Sequence, residues 1–126
     1  RLEDRVRLLG VVSDEQKGAV LARTDVFVFP SLLEGFGMAV LEAMSLGIPC
    51  VVSNRASLPE LVQDGESGFL VDPEDPEAFA DRIMRILDDP ERRARMGERA
   101  RDAARRYNWL DVARRQLELL RGMIGR

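Results

Sequence analysis

A chain of 126 residues, 45% of them apolar, is long enough for one domain with a real core and too apolar for a disordered tail. Lys and Arg number 19 against 22 Asp and Glu, a net charge of −3, and no apolar run approaches the ~18 residues of a membrane-spanning helix. With no histidine, these residues hold no Ser-His-Asp triad, no histidine general base and no histidine-ligated metal.

The single cysteine, Cys50, sits in the run Pro49-Cys50-Val51-Val52 and reads as a small core residue. It has no partner for an internal disulfide, so a cytoplasmic, reducing compartment is expected. Arg1-Leu2-Glu3-Asp4 is neither a signal peptide nor an obvious initiator segment, so the chain is expected to begin mid-protein. Residues 1–90 carry 8 basic and 17 acidic side chains, whereas residues 91–126 carry 11 and 5. The late arginines are spread around helical turns among Glu98, Asp102 and Glu118, which reads first as a solvated face. Peripheral contact with an anionic membrane surface is the second reading, and nucleic acid is not expected, for lack of interleaved aromatic platforms.

Val6-Arg7-Leu8-Leu9 reads as a first strand ended by Gly10. Ser13-Asp14-Glu15-Gln16 forms a capping box that opens a helix to about Arg23. Asp25-Val26-Phe27-Val28-Phe29 is apolar after its first residue, as in a strand covered on both faces, and Pro30 stops its ladder. A helix is predicted over Met38–Leu46, with Gly47 past its end, followed by a strand over Cys50–Ser53. A helical turn over Leu58–Val62 and a polar turn over Asp64–Gly68 lead to the strand Phe69-Leu70-Val71.

Asp75-Pro76 and Asp89-Pro90 each set an N-cap carboxylate before a proline at the first helical position. Phe79, Ile83, Ile86 and Leu87 form the apolar face of the first of these helices. The last helix starts at Asn108, with Asp111 at the third position and Tyr107 and Val112 placed to staple it; its face is Leu110, Ala113, Leu117, Leu120 and Ile124. No repeat or linker divides the chain. It reads as one α/β domain, with a Rossmann-like core over residues 1–71 and C-terminal helices over 72–126.

Chemistry concentrates between the strand at Asp25 and the turn at Gly68. Glu34-Gly35-Phe36-Gly37 joins a buried strand to an apolar helix, and such a helix start offers unpaired amides and a positive dipole end to an anion. A helix starting at Ser31, with Ser31-x-x-Glu34 as its capping box, would place two glycines in its first turns at about 1 kcal/mol each. A start near Gly37 is preferred. Glu42 stands mid-helix among Val40, Leu41, Ala43, Met44 and Leu46, so burial is expected, and a buried carboxylate needs a partner. No Lys or Arg occurs within residues 31–54, which leaves either a distant residue or a ligand. The eight-residue step from Glu34 to Glu42 covers about 12 Å along a helix, near the span from a sugar across a diphosphate to a ribose.

These features resemble a known family. Asp25-Val-Phe-Val-Phe-Pro-Ser31, Glu34-Gly-Phe-Gly37, the pair Glu34/Glu42 in an E-x7-E motif, Glu42-Ala-Met44, Gly47-Ile-Pro49, Leu58-Pro-Glu60 and Asp64-Gly-Glu-Ser-Gly-Phe-Leu-Val71 follow in register. Together they are similar to the C-terminal donor-binding domain of family 4 retaining glycosyltransferases of the GT-B fold. The resemblance implies a partial GT-B domain, an α/β parallel sheet flanked by helices, that binds a nucleoside diphosphate sugar. By the same resemblance Glu34 would contact the sugar hydroxyls, and the amides of Gly35, Phe36, Gly37 and Met38 would hold sugar and diphosphate. Glu42 would accept from the ribose diol, the loop Gly10, Val11, Val12 and Ser13 would lie near the base, and Glu60 would either support the site or cap a short helix.

Three departures stand beside this. Ala56-Ser57 replaces a customary glycine pair, the basic loop that neutralises the diphosphate has no match, and the N-terminal acceptor domain is missing. In the sheet order 3-2-1-4-5-6, Val6–Leu9 would be the third strand and Val26–Phe29 the fourth, with two absent strands between them. Turnover by these 126 residues alone is therefore not expected. The reaction implied for a whole enzyme is glycosyl transfer to an acceptor hydroxyl on a glycan, lipid or small molecule. No D-x-D sequence suggests a metal clamp and no other cofactor is implied. A non-catalytic nucleotide-binding or interaction module and a GT-B epimerase remain alternatives.

Overall fold

The computed structural model describes residues 1–124. Helix α1 (Asp14–Leu21), strand β1 (Phe27–Phe29), α2 (Met38–Ser45), β2 (Cys50–Ser53), α3 (Leu58–Leu61) and β3 (Gly68–Val71) alternate along the first part of the chain. Helices α4 (Pro76–Leu87), α5 (Pro90–Ala104) and α6 (Trp109–Ile124) follow, with a 3-10 turn over Arg105–Tyr107 before the last. The three strands form one parallel sheet in the order β1-β2-β3, with Phe27 opposite Cys50 and Val51 opposite Phe69. Parallel neighbours require crossovers, and α2 and α3 supply them.

Strand alternation divides the core. Cys50 and Val52 face a cluster with Val40, Ala43 and Met44 of α2 and Leu58 and Leu61 of α3, all buried. Val51 points the other way, into a cluster with Val71, Phe79 and Ile86 of α4 and Met96 of α5. Helix α5 serves both clusters, because Ala100, Ala103 and Ala104 pack on the first.

The helix ends are built as the sequence predicts. Ser13 and Gln16 exchange the reciprocal bonds of a capping box, at 2.9 and 3.2 Å. Asp75 and Asp89 accept the amides of Ala78 and Arg92, each at 2.9 Å. Helix α2 ends in a Schellman motif: Gly47, at φ +75°, donates to the Met44 carbonyl at 2.9 Å and Ile48 to the Ala43 carbonyl at 3.1 Å. The same corner explains Gly97. A Cβ there would stand 2.2 Å from the Gly47 carbonyl oxygen, so α5 reaches the end of α2 only with glycine at that position.

Four expectations are corrected. Val6–Leu9 is not a strand; the segment is exposed, with Leu8 93% accessible, and among the described residues no strand lies beside it to receive its backbone bonds. Val28 of β1 is exposed, not covered on both faces: it points to the same side of the sheet as Val51, where α4 and α5 pack over β2 and β3. Leu87 lies outside the buried stripe of α4, which is carried by Phe79 and Ile86 with Ile83 partly covered. The apolar face of α6 is in solvent: Leu110, Leu117, Leu120 and Ile124 are all exposed. Among the described residues no helix is long and apolar enough to cross a membrane.

Candidate functional site

Beyond β1 the chain passes Pro30 and turns. The buried Ser53 hydroxyl at the end of β2 donates to the Ser31 carbonyl, and the Ser31 hydroxyl donates to the Leu33 carbonyl at 2.8 Å. Ser57 bonds the Glu34 carbonyl at 3.4 Å. Phe36 meets Tyr107 edge-on, with ring centroids 5.7 Å apart at 81°, while the Tyr107 hydroxyl donates to the Glu60 carbonyl at 3.0 Å. The loop is thus held from the sheet, from α3 and from the turn before α6. Tyr107 had no signal in the sequence beyond its place beside a helix cap, since its partners lie far away along the chain.

The loop closes on Gly37, the N-cap residue of α2. Its φ of +85° is in the left-handed region, and a Cβ there would stand 2.8 Å from Leu61 Cδ1 and 3.0 Å from Leu58 Cδ2. Both the conformation and the space call for glycine. The start of α2 at Met38, with Glu34 on the preceding loop, is the arrangement preferred from the sequence. Whereas α1, α4 and α5 have side-chain caps, α2 has none and no acidic residue in its first turn. Its positive end is uncompensated apart from Glu34, whose Oε1 accepts the Gly37 amide at 3.1 Å. Gly35, Phe36 and Met38 are exposed beside it.

Glu42 overturns the argument from burial. Its side chain is 41% exposed, and Oε2 lies 3.0 Å from the Lys17 ammonium of α1. Helix α2 is one-sided: Val40, Leu41, Ala43 and Met44 are buried, while Met38, Glu42 and Ser45, spaced at helical intervals, line its outer face. The hydrogen bond and charge of Glu42, with a weaker contribution from Asp14 at 3.5 Å, hold the Lys17 ammonium above the ordinary lysine range. The carboxylate therefore has protein company from a distant residue, which the sequence left as one of two possibilities.

The remaining expected positions are dispersed. Gly10 turns the chain at φ +64°, Val11 is fully exposed, Val12 is half-buried, and the Ser13 hydroxyl is engaged in capping α1. Glu60 is exposed and serves the structure through its main-chain carbonyl. Ala56, where the family's glycine pair would fall, adopts φ +55°. Cys50 is wholly buried, and burial pushes its thiol up to about 12. Among the described residues no group of three or more Cys, Asp or Glu side chains is placed to hold a metal ion. A concavity of about 840 Å3 lies along α6, lined by Arg115, Glu118, Leu119, Gly122 and Met123, away from the Glu34 loop.

Residues 1–103 match the family of glycosyl transferases group 1. The chain belongs to this family. It is 38% identical over 112 residues to D-inositol 3-phosphate glycosyltransferase of Corynebacterium efficiens, covering 89% of this chain and 26% of that protein. It is 41% identical over 107 residues to O-antigen chain mannosyltransferase B of Escherichia coli, covering 85% of this chain and 28% of that one. In three dimensions it is similar to sucrose-phosphate synthase from Thermosynechococcus elongatus, with a TM-score of 0.89 at 34% identity over 98% of this chain and 31% of that one. HepE of Anabaena, in complex with UDP-glucose, gives a TM-score of 0.85 at 29% identity over 96% of this chain and 33% of that one. This group 1 chain thus spans about a quarter of the length of these curated relatives. Its three parallel strands and flanking helices are the Rossmann-like architecture of those neighbours.

Proposed function

We propose that the chain is the donor-binding domain of a family 4 retaining glycosyltransferase and that it takes a nucleoside diphosphate sugar at the start of α2. The observation that carries this reading is the glycine-opened N-terminus of α2, which has no side-chain cap from its own N-cap residue and only the Glu34 carboxylate at its Gly37 amide, fixed by Leu58, Leu61, Ser53 and Tyr107 in a chain of the group 1 family. HepE, whose structure holds UDP-glucose, supports a diphosphate sugar as the ligand class.

In this reading the amides of Gly35, Phe36 and Met38 face the sugar and diphosphate, and that of Gly37 joins them once Glu34, which accepts it at 3.1 Å in the free chain, turns to the sugar hydroxyls. Glu42 accepts from the ribose diol, the Gly10–Ser13 loop borders the base and Glu60 supports the site. Preorganised amides at a helix start stabilise charge on a departing diphosphate without reorganising, which is the main source of rate such a site can supply. Glu34 positions the sugar and is not a general base; departure on the same face leaves the diphosphate to take the acceptor proton, with retention at the anomeric carbon. The acceptor is a hydroxyl on a glycan, lipid or small molecule, and the reaction runs in the cytoplasm or at the inner face of its membrane. No metal or other cofactor takes part in this scheme.

Calorimetry of the full chain against a panel of nucleoside diphosphate sugars tests the reading, with Glu42→Gln as the control. One sugar nucleotide is expected to bind, and the substitution to weaken it by about 1.5–3 kcal/mol, as for loss of a charge-assisted hydrogen bond. No binding across the panel, or affinity unchanged in Glu42→Gln, would contradict it.

A further inference from the structure

We infer that Lys17 is a positioning residue of the donor site, holding the Glu42 carboxylate in the orientation that receives the ribose; this rests on the assignment of Glu42 to the ribose diol. The two side chains come from different elements, 25 positions apart, and meet at 3.0 Å through Lys17 Nζ and Glu42 Oε2. Among the described residues Oε1 of Glu42 has no protein partner, so the pair leaves one carboxylate oxygen available to a ligand.

The placement of Lys17 is built into the chain. The Ser13 capping box fixes the first turn of α1, and the Lys17 amide donates to the Ser13 carbonyl at 2.9 Å. Lys17 therefore projects one turn after the Gly10–Ser13 loop. No residue of α1 is fully buried, and Leu21 near its end packs at the margin of the core. The ion pair ties the exposed first half of α1 to the outer face of α2.

A free glutamate loses much rotamer freedom when a ligand immobilises it. Lys17 removes that loss beforehand and keeps a cation beside the carboxylate. Its effect is directed at the diol: a nucleotide without ribose hydroxyls gives Glu42 nothing to hold, so the orientation of that carboxylate no longer matters. An anchor serving only the fold would act alike on both kinds of nucleotide.

The test measures binding of UDP and of 2′,3′-dideoxy-UDP to the full chain by calorimetry, in the wild type and in Lys17→Met, Lys17→Arg, Glu42→Gln and the Lys17→Met/Glu42→Gln double variant. Lys17→Met is expected to weaken UDP about three- to tenfold, the effect of freeing one long side chain, and to leave the dideoxy nucleotide unchanged. Lys17→Arg should recover most of the UDP affinity, and the double variant should match Glu42→Gln. If Glu42→Gln weakens UDP while Lys17→Met leaves it unchanged or tightens it, the ribose assignment stands and the role of Lys17 is refuted. Equal weakening of both nucleotides by Lys17→Met also refutes it. If Glu42→Gln itself has no effect on UDP, the ribose assignment fails, and this inference with it.

Discussion

The Glu34 carboxylate accepts the Gly37 amide at 3.1 Å, so the acid expected at the sugar also closes the loop that carries it. It stands in for the side-chain cap that Gly37 cannot provide. Glu34→Ala should lower the unfolding free energy by about 1 kcal/mol, the usual loss for a removed cap. Glu34→Gln, which keeps a carbonyl acceptor, should stay within about 0.5 kcal/mol of wild type. Urea denaturation separates the two. An alanine variant as stable as wild type would show that the carboxylate does not organise the loop.

Two left-handed positions make opposite predictions. Gly37→Ala combines positive φ with a Cβ against Leu58 and Leu61, and should destabilise by about 2–4 kcal/mol through strain and overpacking. Ala56 already bears strain at φ +55°, so Ala56→Gly should raise stability by about 0.5–1 kcal/mol, net of glycine's greater freedom in the unfolded chain. Thermal melts of both variants check the pair, and a lower Tm for Ala56→Gly would contradict the assignment.

Asp89 carries a pH dependence of definite sign. The Arg92 amide that it caps, helped by the Arg92 charge, holds its carboxyl below the ordinary value of 3.8. The unfolded state therefore takes up this proton first on acidification. The stability Asp89 contributes is present above its unfolded pKa and is lost as pH falls through the lower folded value. Asp89→Asn retains a capping oxygen but does not titrate, so its Tm should fall less steeply than wild type as pH drops below about 4. Parallel curves would contradict this.

Local chemistry made much of the fold legible. Ser13 with Gln16, Asp75 and Asp89 announce helix starts through bonds spanning three residues, and Gly47 announces a helix end in the same way. The Cys50–Ser53 run, buried throughout, is a central strand with neighbours on both sides. Val6–Leu9 has the composition of a strand and lacks the partners that make one, which no local pattern reveals. The strand-loop-helix frame of the site and the start of α2 were readable because two glycines are costly inside a helix. The surroundings of Glu42 were not: composition suggested burial all round α2, whereas helical phase put this residue outside, within reach of a lysine 25 positions earlier. Tyr107 on Phe36 is likewise a contact across distant segments.

If the start of α2 receives the diphosphate of a sugar nucleotide, a crystal structure of the full chain with UDP-glucose will show it there. Phosphate or sugar oxygens are predicted within about 3.2 Å of at least two of the amides of Gly35, Phe36, Gly37 and Met38, with a ribose hydroxyl at the same range from Glu42. A nucleotide seated elsewhere, with that helix start facing only water, would contradict the account.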